Sequence, residues 1–219
     1  MVKLEGKQIK YQAGGRTILQ DISFSFTDGA WITVVGHSGT GKSTLLKLIA
    51  GLEELSGGEI LLDDQNAFNY EIGAYRQQVS YATQSAQLFG KTVRENLDLP
   101  YQVRGLKPDE EEQVAGLMQM DLPAEYLDKA VSELSGGERQ RVGVLRNLLF
   151  PPKVLLLDEI STGLDAETKA IIWQAIHNIH KTNQGVVMSV THDEGEIAHA
   201  TETLTIADGK GTLKNEFTN

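Results

Sequence analysis

The sequence predicts an α/β fold: a parallel-sheet core with a helical segment inserted into it. Three observations carry this. Residues 154–157 are continuously apolar and end in Asp158 and Glu159, the pattern of a strand covered on both faces. A second apolar run, residues 31–35, leads directly into Gly36-His37-Ser38-Gly39-Thr40-Gly41-Lys42-Ser43-Thr44, and a helical pattern follows. Between these segments, from about Thr92 to Leu134, the periodicity turns helical and the charge density rises.

The elements follow in order. Residues 2–12 alternate apolar and polar positions (Val2, Leu4, then Ile9, Tyr11) and predict a strand pair. Gly14-Gly15 is a turn, and residues 17–26 predict a strand with Ile22, Phe24 and Phe26 on one face. Asp28-Gly29 is a hairpin signal. A helix over residues 43–52 follows the glycine-rich loop, Ser56-Gly57-Gly58 breaks the chain, and residues 59–62 resume as strand. In the middle segment Pro108 suits a first helical position, and Asp109, Glu110, Glu111 and Glu112 suit the positive end of the helix dipole, so this acidic run is a solvated helix start. Met118 and Met120 are expected to pack. Val142, Leu145, Leu148 and Leu149 fall at helical spacing, as do Ile172, Ile176 and Ile179; residues 185–190 and 204–207 are strands, the latter closed by Asp208-Gly209. The insertion spans about residues 88–140, and no internal repeat or low-complexity linker interrupts the chain.

Bulk composition excludes several classes. With 219 residues the chain suits one large domain, and 40% hydrophobic content permits a sizeable core. No apolar run reaches membrane-spanning length, and the N-terminus lacks an apolar signal region. A cytosolic protein is the expectation, recruited by a partner if it works at a membrane. With no cysteine there is neither a disulfide framework nor a thiolate metal site. The net charge of −10 argues against broad nucleic-acid binding, which needs a basic footprint.

The glycine-rich segment sits between strand and helix, the context that marks a phosphate-binding loop. Gly36, Gly39 and Gly41 let the backbone wrap closely, so that N–H groups point at phosphates; Ser38 and Thr40 complete the loop, and Thr44 follows it into the helix. Lys42 is placed to contact the β- and γ-phosphates and Ser43 to ligate Mg²⁺. Asp158 and Glu159 would repel each other unless a cation or proton relieves them. The economical assignment gives Asp158 to Mg²⁺ through water and makes Glu159 the general base for the attacking water. Ser135 and Glu138 form an S-x-x-E capping box, which a plain helix start would also show. Gly136 and Gly137 in that first turn cost roughly 1 kcal/mol each against alanine, which makes sense where a large anion approaches the helix end. His177 and His180, at i and i+3, are expected on a solvated helix face.

Leu134-Ser135-Gly136-Gly137-Glu138, placed between the phosphate loop and residues 154–159, makes the chain resemble the ATP-binding-cassette (ABC) ATPases over essentially its whole length. The resemblance implies a P-loop NTPase (RecA-like) fold: a parallel-sheet core with an N-terminal antiparallel β subdomain and an inserted helical subdomain. It implies one ABC ATPase domain over residues 1–219, with residues 1–87 and 141–219 as the catalytic core and 88–140 as the helical part carrying the signature. ATP and Mg²⁺ are the implied cofactors. The resemblance also implies a homodimer on ATP binding, in which Ser135, Gly136 and Gly137 of one copy meet the γ-phosphate held by the other. The resemblance further assigns Gln84 to sensing Mg²⁺ and the attacking water and to facing the membrane partner, and His192 to the γ-phosphate. It assigns Asp165 to contact across the dimer and Tyr11, about 25 residues before Gly36, to stacking on adenine. His37 stands where the family often has proline.

The cassette is expected to stand alone, without fused membrane domain, second cassette or appended regulatory domain. The implied partner is a separate integral-membrane permease at the cytoplasmic face of the cell membrane; neither nucleic acid nor metal cargo is expected to bind this chain directly. Tyr75-Arg76-Gln77-Gln78-Val79-Ser80-Tyr81, Leu88-Phe89-Gly90, Asn96-Leu97, Arg146-Asn147-Leu148 and Ile160 after Glu159 are similar to the Fet-type (Ybb) group of iron-export ATPases, whereas Thr162-Gly163 departs from that group's usual Ser-Ala. Iron export is thus implied by resemblance alone. Three rivals stay open: the ATPase of an ABC importer or exporter for another cargo, a non-transport ABC ATPase acting on DNA or the ribosome, and a small-molecule kinase, which leaves residues 134–138 and His192 without a task.

Overall fold

The computed structural model describes residues 1–215. The chain divides into two compact units. The first comprises residues 1–81, 153–159 and the segment from 184 onward; the second comprises residues 82–152 and 160–183.

The first unit is built on β1 (Lys3–Ala13), β2 (Arg16–Thr27), β3 (Trp31–Val35), α1 (Lys42–Ile49), β4 (Gly57–Leu62), β5 (Gln65–Asn66), α2 (Ile72–Arg76), β6 (Val79–Ala82), β7 (Val154–Asp158), β8 (Val186–Val190), β9 (Glu202–Ala207) and β10 (Lys210–Asn215). Among the described residues these strands form one ten-stranded sheet in the order β5-β4-β1-β2-β10-β9-β3-β8-β7-β6. β9, β3, β8 and β7 run parallel to one another, and β5, β4, β1 and β2 form an antiparallel arm. β10 joins the two, antiparallel to β9 and parallel to β2 through Lys210 and Asp21. All five residues of β7 and of β8 are buried, because a parallel strand has both faces covered. In β2, by contrast, Ile22, Phe24 and Phe26 point inward between exposed Ser23, Ser25 and Thr27, the period-two pattern of a strand with one wet face. The shared core joins Leu45, Leu46, Leu48 and Ile49 of α1 to Ile32, Val34, Val154, Leu156 and Met188 of the sheet.

Two expectations change here. The N-terminal segment forms one strand, Lys3–Ala13, not a pair; Gln8 adopts φ 48° and the register with β2 shifts there, so a bulge absorbs the break in alternation. Asp28-Gly29 does turn the chain, with Gly29 at φ 75°. However, β2 and β3 do not pair, because β3 is taken between β8 and β9. Asp208-Gly209 is instead the true hairpin, and it leads into β10, a strand too polar to stand out in the sequence.

The second unit carries α3 (Val93–Gln102), α4 (Glu110–Gln119), α5 (Gly136–Leu148) and α6 (Ala166–Asn183), with short 3₁₀ turns at Ala124–Asp128 and Val131–Glu133. Pro108 precedes α4 rather than opening it: Asp109 is the N-cap, and its carboxylate accepts the Glu112 N–H at 3.1 Å. Met120 is buried, but Met118 is 66% exposed, since a helix of this length buries one face only. His177 and His180 are half-buried rather than fully solvated. No helix among the described residues is long and apolar enough to cross a membrane.

Candidate active site

In the first unit the phosphate loop hangs between β3 and α1. Gly36 has φ 150°, and a Cβ there would lie 2.3 Å from the Ile206 carbonyl oxygen, so only glycine lets the chain leave β3 against β9. Gly41 is the N-cap of α1 in the left-handed region, and no side chain caps the helix. The first-turn N–H groups are therefore left for an anion, favoured further by the helix dipole. Lys42 is 6% exposed, and its Nζ donates to the carbonyls of Gly36 at 2.9 Å and His37 at 3.0 Å. Those bonds lay the ammonium across the inside of the loop. Thr40 Oγ1 donates to the same His37 carbonyl at 2.9 Å, so His37 serves the loop through its backbone. Ser38 and Gly39 are exposed at the tip, and Thr44 lies half-buried on α1.

The end of β7 faces this loop. Asp158 is 9% exposed and accepts two hydroxyl bonds: Ser43 Oγ donates to Oδ1 at 2.8 Å, and Tyr81 Oη donates to Oδ2 at 2.6 Å. A hydroxyl and a carboxylate this close form a hard-oxygen donor set, which fits Mg²⁺. Burial, and then the bond to Asp158, push the Tyr81 hydroxyl well above its usual range, so it stays protonated and remains a donor. Glu159 has φ 52°, an unusual conformation for a residue with a side chain. Its N–H donates to the Val190 carbonyl at 3.0 Å, which holds the strained turn. That turn swings the Glu159 carboxylate to 3.6 Å from His192 Nε2. The two adjacent carboxylates thus acquire separate partners.

Tyr11 is half-buried on β1, and its hydroxyl donates to Glu53 at 3.0 Å, a bond that raises the phenol's pKa. Its cross-strand partner is Leu19, and a Cβ on Gly41 would meet Leu19 at 2.7 Å. The β1–β2 ribbon therefore borders the phosphate loop.

The second unit presents the remaining positions. Both halves of the capping box form: Ser135 N–H donates to Glu138 Oε2 at 2.7 Å, and Glu138 N–H donates to Ser135 Oγ at 3.3 Å. Ser135 and Gly136 are exposed at the start of α5, and a Cβ on Gly136 would meet nothing within 4 Å, whereas one on Gly137 would press on Thr168 at 3.2 Å. Asp165 is exposed, yet both its oxygens accept from Thr168, at 2.8 Å from the backbone N–H and 2.8 Å from Oγ1. It starts α6, and those bonds lower its pKa. Gln84 is exposed in a loop clamped by buried Gln140, whose Nε2 donates to Thr83 O at 3.1 Å and Ile160 O at 3.0 Å, and whose Oε1 accepts from Ala86 N–H at 2.8 Å.

Sequence reasoning missed two of these residues. Nothing in a strand pattern says that Tyr81 will reach a carboxylate on a neighbouring strand. Gln140 occupied an ordinary helical position, and only its burial marks it.

Glu138 gives a pH prediction. Hydrogen bonds from Tyr126 Oη at 2.6 Å and from Ser135 lower its carboxyl from 4.5 to about 2. A carboxylate depressed in the folded state stabilises the fold above its unfolded pKa, and the contribution is lost as pH falls toward the folded pKa. The loss is expected between about 4.5 and about 2. In acid titrations monitored by circular dichroism, Glu138→Gln should flatten the stability slope in that window. An unchanged slope would mean that the cap carries no charge-dependent stability.

Comparison with known proteins agrees with this geometry. Residues 19–162 match the family model described as ABC transporter. The chain is 41% identical over 211 residues to "Probable iron export ATP-binding protein FetA" of Escherichia coli (strain K12), covering 96% of this chain and 94% of that one. It is 35% identical over 201 residues to "Energy-coupling factor transporter ATP-binding protein EcfA2" of Ligilactobacillus salivarius (strain UCC118), covering 88% and 70% respectively. It is 34% identical over 216 residues to "Methionine import ATP-binding protein MetN 1" of Pseudomonas putida (strain KT2440), covering 95% of this chain and 64% of the relative. With its phosphate loop, its Ser43–Asp158 contact and these relatives, the chain belongs to the ABC transporter family, as an ATP-binding subunit that hydrolyses ATP to drive transport.

Proposed function

We propose that this chain powers metal export, with iron as the cargo, through a separate integral-membrane permease at the cytoplasmic face of the membrane. The observation that carries the cargo is the 41% identity along 94% of the iron-export relative's length, against 34% along 64% of the methionine-import relative. The latter supports a second reading, an importer for another cargo. The net charge of −10 counts against a nucleic-acid partner.

The chemistry follows from the residues. Lys42 and the loop N–H groups bind the phosphates of ATP. Ser43 and Asp158 would hold Mg²⁺, with Gln84 as a further ligand when its loop engages; the bound ion neutralises phosphate charge. Glu159 takes a proton from the attacking water, and the phosphoryl group passes to that water, leaving ADP and phosphate. His192 contacts the transferring phosphoryl. Tyr11 carries the adenine. Two copies of the chain enclose two ATP molecules, so that Ser135, Gly136 and Gly137 of one copy meet the γ-phosphate bound by the other. The open space over Gly136 and the exposure of Ser135 support that approach. Asp165 reaches toward the second copy, and the Gln84 loop relays the nucleotide state to the permease.

The test is total cell iron in a deletion strain, complemented with wild type or with Glu159→Gln. Raised iron corrected only by wild type is expected. Lowered iron would reverse the direction of transport, and unchanged iron under iron loading would remove the cargo.

A further inference from the structure

We propose that Tyr81 is a positioning residue for the cation site: it holds Asp158 by one oxygen so that the other stays turned toward Ser43 and the bound divalent ion. The inference rests on the assignment of Ser43 and Asp158 to Mg²⁺ made above, and it adds a residue that assignment does not use.

The χ2 torsion of an aspartate is broad and nearly two-fold, so an unheld carboxylate turns easily. Asp158 is held on both sides. Tyr81 Oη takes Oδ2 at 2.6 Å from β6, and Ser43 Oγ takes Oδ1 at 2.8 Å from α1. Tyr81 comes from a strand beside β7 in the sheet, so its reach is set by strand spacing rather than by a mobile loop. The kind of partner matters as much as its position. A lysine or arginine at Oδ2 would neutralise Asp158 and compete with a divalent ion. A tyrosine hydroxyl satisfies the buried oxygen while leaving the full negative charge for the cation. Charge-assisted hydrogen bonds of this length are among the stronger ones, so removing this one is expected to weaken cation binding on the order of tenfold.

The measurement is ATP affinity of the full-length chain by calorimetry, with Mg²⁺ and with EDTA, for wild type, Tyr81→Phe and Asp158→Asn. Electron paramagnetic resonance of Mn²⁺ in the same samples reads the cation directly. Tyr81→Phe should leave metal-free ATP affinity unchanged, lower the gain conferred by Mg²⁺ about tenfold, and weaken Mn²⁺ binding in parallel. The ring stays, so the thermal midpoint without ligand checks that packing is intact. An equal loss of ATP affinity with and without metal, or a Mg²⁺ gain identical to wild type, would overturn the positioning role. If Asp158→Asn keeps the full Mg²⁺ gain, the cation assignment itself fails. If Asp158→Asn loses the gain and Tyr81→Phe does not, only the role of Tyr81 fails.

Discussion

Glu159→Gln is expected to lower ATP turnover by about a hundredfold or more while ATP still binds, and to trap a dimer stable enough to isolate with ATP and Mg²⁺. Removing a general base costs typically ~10²–10⁴-fold in rate. The substitution keeps side-chain length, and the Glu159 N–H bond to the Val190 carbonyl depends only on the backbone, so the left-handed turn at φ 52° is retained. What disappears is the proton acceptor and one negative charge. Losing that charge should also favour closure of two chains that each carry −10. Phosphate release and light scattering on the same preparation test both halves. Turnover within twofold of wild type, with no dimer, would place the base elsewhere.

Gln140→Leu should destabilise the fold by about 2–3 kcal/mol, although it swaps one side chain for another of similar size on a helix. The amide bonds three backbone groups from separate segments: Thr83 O, Ile160 O and Ala86 N–H. Gln140 itself is only 4% exposed. A buried group left unpaired costs roughly 1–3 kcal/mol; Ile160 O bears that cost in full, and the half-buried Thr83 O and Ala86 N–H add less because water reaches them in part. The segments freed are those next to Gln84 and just after Glu159, so a loss of turnover should accompany the loss of stability. Urea unfolding gives the comparison. A change below about 0.5 kcal/mol, typical of plain surface substitutions, would mean that other contacts hold the Gln84 loop.

Much of the core was legible because it depends on local pattern. A continuously apolar run ending in two acids, and glycines spaced between a strand and a helix, specify β7, β3, α1 and the loop without long-range information. The capping box of Ser135 and Glu138 is equally local, as an i to i+3 bond on one helix must be. The failures are where local pattern ran out. The Asp28-Gly29 turn gave no hint that β3 would leave β2 for a place between β8 and β9. Alternation in residues 2–12 did not reveal a bulged single strand, because one left-handed residue, Gln8, shifts every later side chain to the other face.

By itself, the sequence determined the family and the phosphate loop with Lys42 and Ser43, and it singled out Asp158 and Glu159 as an acidic pair at a strand end, because these lie in short motifs of local spacing; His192 entered only through the family resemblance. Tertiary structure alone decided which groups those residues meet. Ser43 reaches Asp158 across 115 positions, Tyr81 reaches the same carboxylate across 77, and Gln140 reaches back 57 positions to Thr83. Such contacts are set by strand order and by the burial of polar groups that must find partners, and neither is written in any one stretch of the chain.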